Sequence, residues 1–107
     1  MSADDFEIVA SVAELPRGKT LVVRQGDAQV LLCHTSEGIF AVNNLCTHAA
    51  EPLCNGKLKG HRIFCPLHGA AFDVRDGAAL SRPASVALAT YPVRVEGDSI
   101  LLGPGGD

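Results

Sequence analysis

The chain has little that would place it on a nucleic acid, in a membrane or in a secretory pathway. Its nine Lys and Arg residues are scattered among twelve Asp and Glu, for a net charge of −3. Phosphate backbones are held by clustered cations, so this balance argues against nucleic-acid binding. A mildly acidic surface instead suits a basic docking patch on a protein partner. No uninterrupted apolar stretch is long enough to span a bilayer. Residues 1–9 carry Asp4 and Asp5 and lack a basic segment followed by an apolar run, so no signal peptide is expected. A reducing cytoplasm follows as the expected compartment, and there four cysteines point to metal binding or catalysis before disulfides. Internal repeats are absent. The only low-complexity stretch is the Gly/Pro-rich tail at 103–107.

At 107 residues, one domain is expected, large enough for one modest core. With 47% hydrophobic and 20% charged residues the composition is that of a soluble globular chain and not of a disordered one. Short β-branched runs bounded by turn residues predict an all-β fold. Strands are expected at 21–24 and 28–34 around Gln25-Gly26-Asp27, and at 39–43 after Ser36-Glu37-Gly38. A closing hairpin is expected from 91–96 and 99–102 around Gly97-Asp98. Only residues 12–15 suit a single helical turn.

The middle of the chain is organised differently. Between 43 and 55 the alternation disappears and Cys, His, Pro and Asn accumulate, which predicts loop. Two short strands at 56–58 and 62–64 are expected to pair across Lys59-Gly60-His61. A tight antiparallel hairpin sets its outer ends side by side. The loop entering it carries Cys46-Thr47-His48, and the loop leaving it carries Cys65-Pro66-Leu67-His68. Four soft-to-borderline ligands are thereby delivered to one place.

One residue between Cys46 and His48 makes it awkward for both side chains to bind a single tetrahedral ion. Two adjacent irons remove the difficulty, one taking Cys46 and Cys65 and the other His48 and His68, with two bridging sulfides. A structural Cys2His2 zinc site uses the same ligand types but normally groups the Cys pair and the His pair separately. A third alternative is a set of ordinary buried Cys and His with no metal.

Cys-Thr-His followed by Cys-Pro-Leu-His-Gly resembles the Rieske [2Fe–2S] signature, in which two His replace two Cys on one iron. The resemblance runs through Asp73, Gly77 and the closing hairpin, covering nearly the whole chain. It implies a Rieske-like fold of antiparallel sheets: a β-sandwich base formed by 1–42 and 74–107, with a small cluster-binding subdomain at approximately 43–73. It also implies one [2Fe–2S] cluster held by Cys46, His48, Cys65 and His68, with both imidazoles coordinating through Nδ1. Leu67 would shield one cluster face, and Arg82-Pro83-Ala84 resembles the family's third, cluster-covering loop.

Departures from the respiratory branch of that family sharpen the expectation. That branch joins its two loops by a disulfide, and the matching positions here are Glu51 and Leu67. It also supplies Ser and Tyr hydroxyls to the cluster sulfurs, where this chain has Ala70 and Phe72. Without those donors the reduced state is less stabilised, so the potential should lie near the bottom of the Rieske range of about −150 to +300 mV.

The resemblance is strongest to the ferredoxin components of bacterial aromatic-ring-hydroxylating dioxygenase systems. The expected role is a soluble, monomeric one-electron carrier, not itself an enzyme. It would run from an NAD(P)H-dependent flavoprotein reductase to a terminal oxygenase, docking at the His48/His68 tip. The alternatives are a Rieske-like small subunit of a nitrite reductase or other oxidoreductase, and a zinc-stabilised binding module. The chain's stop after the closing hairpin speaks against an attached catalytic domain. Cys33 is expected in the core, Cys54 as a free, partly buried thiol, and His34 and His61 as solvated or locally bonded imidazoles.

Overall fold

A computed structural model describes residues 5–47, 51–66, 69–82 and 86–105. Among the described residues every element of regular structure is a strand or a single 3₁₀ turn. The order is β1 Glu7–Ser11, β2 Thr20–Gln25, β3 Ala28–Thr35, β4 Gly38–Asn43, β5 Lys57–Lys59, β6 Arg62–Phe64, β7 Ala71–Asp73, β8 Thr90–Tyr91, β9 Val93–Glu96 and β10 Ser99–Leu102. The 3₁₀ turns are Val12–Glu14, where a helical turn was expected, and Leu53–Asn55 inside the expected loop. No helix among the described residues is long and apolar enough to cross a membrane.

The strands form three antiparallel sheets, ordered β1-β10-β9, β2-β3-β4-β8 and β5-β6-β7. β3 explains how they stack. Its run Val30-Leu31-Leu32-Cys33 is fully buried on both faces. Side chains alternate along a strand, so a continuous apolar run implies cover on each side. Val30 and Leu32 pack with Ala41 of the neighbouring β4 and with Ile100 and Leu102 of β10. Leu31 and Cys33 pack the other way, with Leu53, Ile63 and Phe72. The four-stranded sheet is therefore the middle layer, and the β5-β6-β7 sheet sits over its second face. Cys33 is in the core as expected, and burial pushes its thiol up to about 12.

Three expectations need correction. The predicted strand at 91–96 is split at Pro92, which has no N–H to donate to a ladder. Tyr91 stays with β4, while Val93 onward pairs with β10. β1 was not anticipated, because its partner β10 lies at the far end of the chain. β7 was not anticipated either, since three residues carry no readable period.

Candidate metal centre

Hairpin β5–β6 forms with the register Lys57↔Phe64, Leu58↔Ile63 and Lys59↔Arg62. The turn is only Gly60-His61, with Gly60 at φ +61°, so Lys59 joins the strand that was expected to end at residue 58. Gly56 is left out of that strand. A Cβ there would collide with the Phe64 carbonyl, so only glycine lets the chain enter the hairpin this closely.

The two loops at the open end of this hairpin are closed in the same way. The Cys46 amide donates to the Glu51 carbonyl at 2.9 Å, and the Cys65 amide donates to the Ala70 carbonyl at 2.7 Å. Each bond links a Cys to the residue five positions on. Below the first loop an isolated bridge pairs Leu45 with Pro52; below the second, Phe64 pairs with Ala71. Cys46 and Cys65 are each 2% exposed and belong to one apolar cluster with Leu53, Ile63, Ala70 and Phe72. All four cysteines of the chain are free of disulfides. His48, Leu67 and His68 lie outside the described residues, as do Pro83 and Ala84 of the third loop. By sequence, the two His fall inside the two closed loops.

Several polar side chains that no motif signals fasten the loops. Asn44 is 1% exposed beneath the first loop. Its Oδ1 accepts from the Cys54 amide at 2.9 Å, and its Nδ2 donates to Gln29 Oε1 at 3.2 Å and to Cys54 Sγ at 3.6 Å. Thr47 Oγ1 donates to the Val86 carbonyl at 2.6 Å, and Ser81 Oγ accepts from the Ala71 amide at 3.0 Å. The flanks of the third loop are thus tied to the first ligand loop on one side and to β7 on the other. Cys54 itself is exposed, not partly buried, on the 3₁₀ turn that buries its neighbour Leu53. At Gly69 the requirement is φ +68°, not close approach, since a Cβ there meets nothing within 4 Å.

The two described His have partners elsewhere. His34 Nδ1 donates to the Leu15 carbonyl at 2.8 Å. His61 Nε2 lies 3.7 Å from Asp73 Oδ2 in a network that locks β7 to the β3–β4 turn. Arg75 reaches Asp73 Oδ2 at 2.9 Å with one nitrogen and Glu37 at 3.3 Å with another. The hydrogen-bonded Arg75 guanidinium holds the Asp73 carboxyl below its usual range, against the opposing effect of burial, and the charge of His61 adds to the lowering. A depressed folded-state value stabilises the fold above the unfolded carboxylate pKa of about 3.9 and is lost as pH falls through the folded value. Urea midpoints should therefore drop below about pH 4. Asp73→Asn should flatten that acid limb and cost about 1–3 kcal/mol at neutral pH through its hydrogen bonds to Arg75. An unchanged acid limb in the variant would show that other carboxylates govern it.

Residues 5–92 match the family model for the Rieske [2Fe-2S] domain. The chain belongs to the Rieske [2Fe–2S] family. It is 39% identical over 89 residues to the ferredoxin component of a naphthalene 1,2-dioxygenase system from Pseudomonas aeruginosa, covering 83% of this chain and 86% of that one. The ferredoxin of carbazole 1,9a-dioxygenase from Nocardioides aromaticivorans IC177 superposes with a TM-score of 0.88 at 32% identity, over 92% of this chain and 97% of that one. A chain from the complex of reduced oxygenase and oxidised ferredoxin in carbazole 1,9a-dioxygenase superposes at 0.87 with 28% identity, covering 94% of each. Family membership replaces the zinc and metal-free alternatives with one Rieske-type [2Fe–2S] cluster. The residues present fit that group: two buried, reduced cysteines at the roots of two matching closed loops, with a His in each loop by sequence.

Proposed function

We propose that this Rieske domain is a one-electron carrier between an NAD(P)H-dependent flavoprotein reductase and a terminal ring-hydroxylating oxygenase. In this reading Cys46 and Cys65 hold one iron of its cluster and His48 and His68 the other. The bound cluster supplies reversible one-electron redox chemistry. The protein's own residues bury the sulfur side, exclude water there through Leu53, Ile63 and Phe72, and leave the loop tips to meet partners. The segment at 43–73 acts as the cluster-bearing subdomain on a base of 1–42 and 74–107. A monomer in the cytoplasm suits four cysteines that form no disulfide. A carrier must release each partner between electrons, so its interfaces should be small.

The observation that carries the reading is the paired closure of the Cys46 and Cys65 loops onto a shared apolar cluster. It is supported by kinship with carriers of the same length class. Purified protein should be red-brown, contain about two irons per chain and give a rhombic EPR signal when reduced. With the reductase and oxygenase of a naphthalene dioxygenase system it should restore NAD(P)H-dependent product formation. A colourless, zinc-loaded protein would overturn the proposal. An iron-loaded protein that co-purifies with one large catalytic chain and serves no free reductase would make it a fixed subunit instead.

A further inference from the structure

The outer face of hairpin β5–β6 carries three exposed cations. Leu58 and Ile63 turn inward, and cross-strand partners share a face. Lys57, Lys59, Arg62 and Phe64 therefore stand together on the outside. The three cations are exposed, and among the described residues none is paired with a carboxylate. Arg75 and Arg94, by contrast, each meet a carboxylate. Residues 56–66 carry these three cations and no Asp or Glu, in a chain whose net charge is −3. Basic residues that look scattered along the sequence are thus gathered by strand register on one side. The nearest carboxylate across the ladder, Asp73 opposite Arg62, is committed to Arg75.

This face continues to the metal centre. A cleft of about 360 Å³ is lined by Lys57, Lys59, Phe64, Cys65 and Pro66. It therefore runs from the two lysines to one of the proposed cluster ligands. Lys57 and Lys59 are two residues apart on one strand, roughly 6.6 Å along it. Cations spaced in a row do not converge on one point, as a bound phosphate requires. They match several carboxylates spread over a facing protein surface. Half-buried Phe64 adds an apolar contact between them and Cys65.

We infer that the outer face of β5–β6 docks a carboxylate-rich surface of a redox partner, seated beside Cys65 and not over the loop tips. The inference rests on the electron-carrier reading and adds a second contact surface to it. Such a face raises encounter rates at low ionic strength and loses its effect as salt screens it. It also leaves the exchange step at the cluster unaltered once the complex has formed.

The test compares Lys57→Glu/Lys59→Glu with a charge-matched control away from this hairpin, Lys19→Glu/Arg24→Glu, just before and within β2. Stopped-flow measurements follow reduction of the carrier by the reductase of a naphthalene dioxygenase system, and its reoxidation by the oxygenase. Both are read as second-order rate constants between about 0.01 and 1 M ionic strength. In at least one half-reaction the first variant should be slower by about tenfold or more at low salt. The difference should vanish at high salt, while the control stays near wild type. The first variant's visible spectrum and EPR signal should match wild type, and the rates are compared after allowing for any lowering of its midpoint potential by the added negative charge. A first variant indistinguishable from the control in both half-reactions would overturn the inference and leave the carrier reading standing. So would inhibition by inorganic phosphate that the first variant alone escapes, with partner kinetics unchanged, since that marks a small-anion site. A wild-type protein that exchanges electrons with neither partner would remove the carrier reading, and this inference with it.

Discussion

His68→Ala should abolish the visible absorption and the rhombic EPR signal, and Cys46→Ala should do the same, whereas His61→Ala and Cys54→Ala should leave both intact. The contrast follows from where the four side chains stand. Cys46 is buried at the root of a closed loop, in one apolar cluster with Cys65. His68 falls by sequence within the matching loop between Cys65 and Ala70. His61 instead lies 3.7 Å from Asp73, and Cys54 is an exposed thiol near Asn44. Removing a true ligand leaves an iron short of one donor in a site built around four, so the loss should be all or none. Iron analysis and spectroscopy of the four variants, with circular dichroism to confirm that each retains its strands, decide the matter. Loss of the cluster in His61→Ala as well would show the ligand assignment to be wrong.

The second large effect concerns the potential. Ala70 is fully buried, and its carbonyl accepts the Cys65 amide, which brings residue 70 against the second ligand loop. Phe72 is equally buried and shares the apolar cluster of Cys46 and Cys65. Neither side chain offers a donor to a sulfur. A hydroxyl donating to a charged acceptor contributes about 1.5–3 kcal/mol, and for a one-electron couple 1.4 kcal/mol corresponds to about 59 mV. Ala70→Ser should therefore raise the midpoint potential by up to about 130 mV, with a comparable further rise from Phe72→Tyr. The reduced state gains because it carries the extra negative charge. Redox titration followed by EPR measures the shift. Potentials unmoved in both variants would mean that burial and net charge, not missing donors, set the value. In the raised variants, electron acceptance from the reductase should become easier and delivery to a low-potential acceptor harder.

Much of this arrangement was legible in the residues themselves. The Cys/His pairs and the hairpin that joins their loops declare themselves by spacing and by turn chemistry at Gly60. The same holds for β2–β3 and β9–β10, each closed by a two-residue turn with glycine at positive φ. Features set by distant contacts were not legible. β1 becomes a strand because β10 accepts it, and the division of the 91–96 run depends on which sheet each side of Pro92 can reach. The fastening of the site by Asn44, Thr47 and Ser81 was invisible for a related reason. A lone polar residue carries no period, and its role appears only when the fold places an amide or carbonyl opposite it. The basic face of β5–β6 was missed because charge counted along a chain ignores which side of a strand each residue takes.

The ties made by Thr47 and Ser81 have a consequence for where the protein can work. Loops bridged by a cystine keep their shape only while the surrounding glutathione and thioredoxin pools permit it. Here the flanks of the third loop connect the two halves of the site through a hydroxyl–carbonyl bond of 2.6 Å and an amide–hydroxyl bond of 3.0 Å. Neither bond responds to thiol–disulfide exchange. These two ties of the third loop therefore hold whatever the surrounding thiol poise.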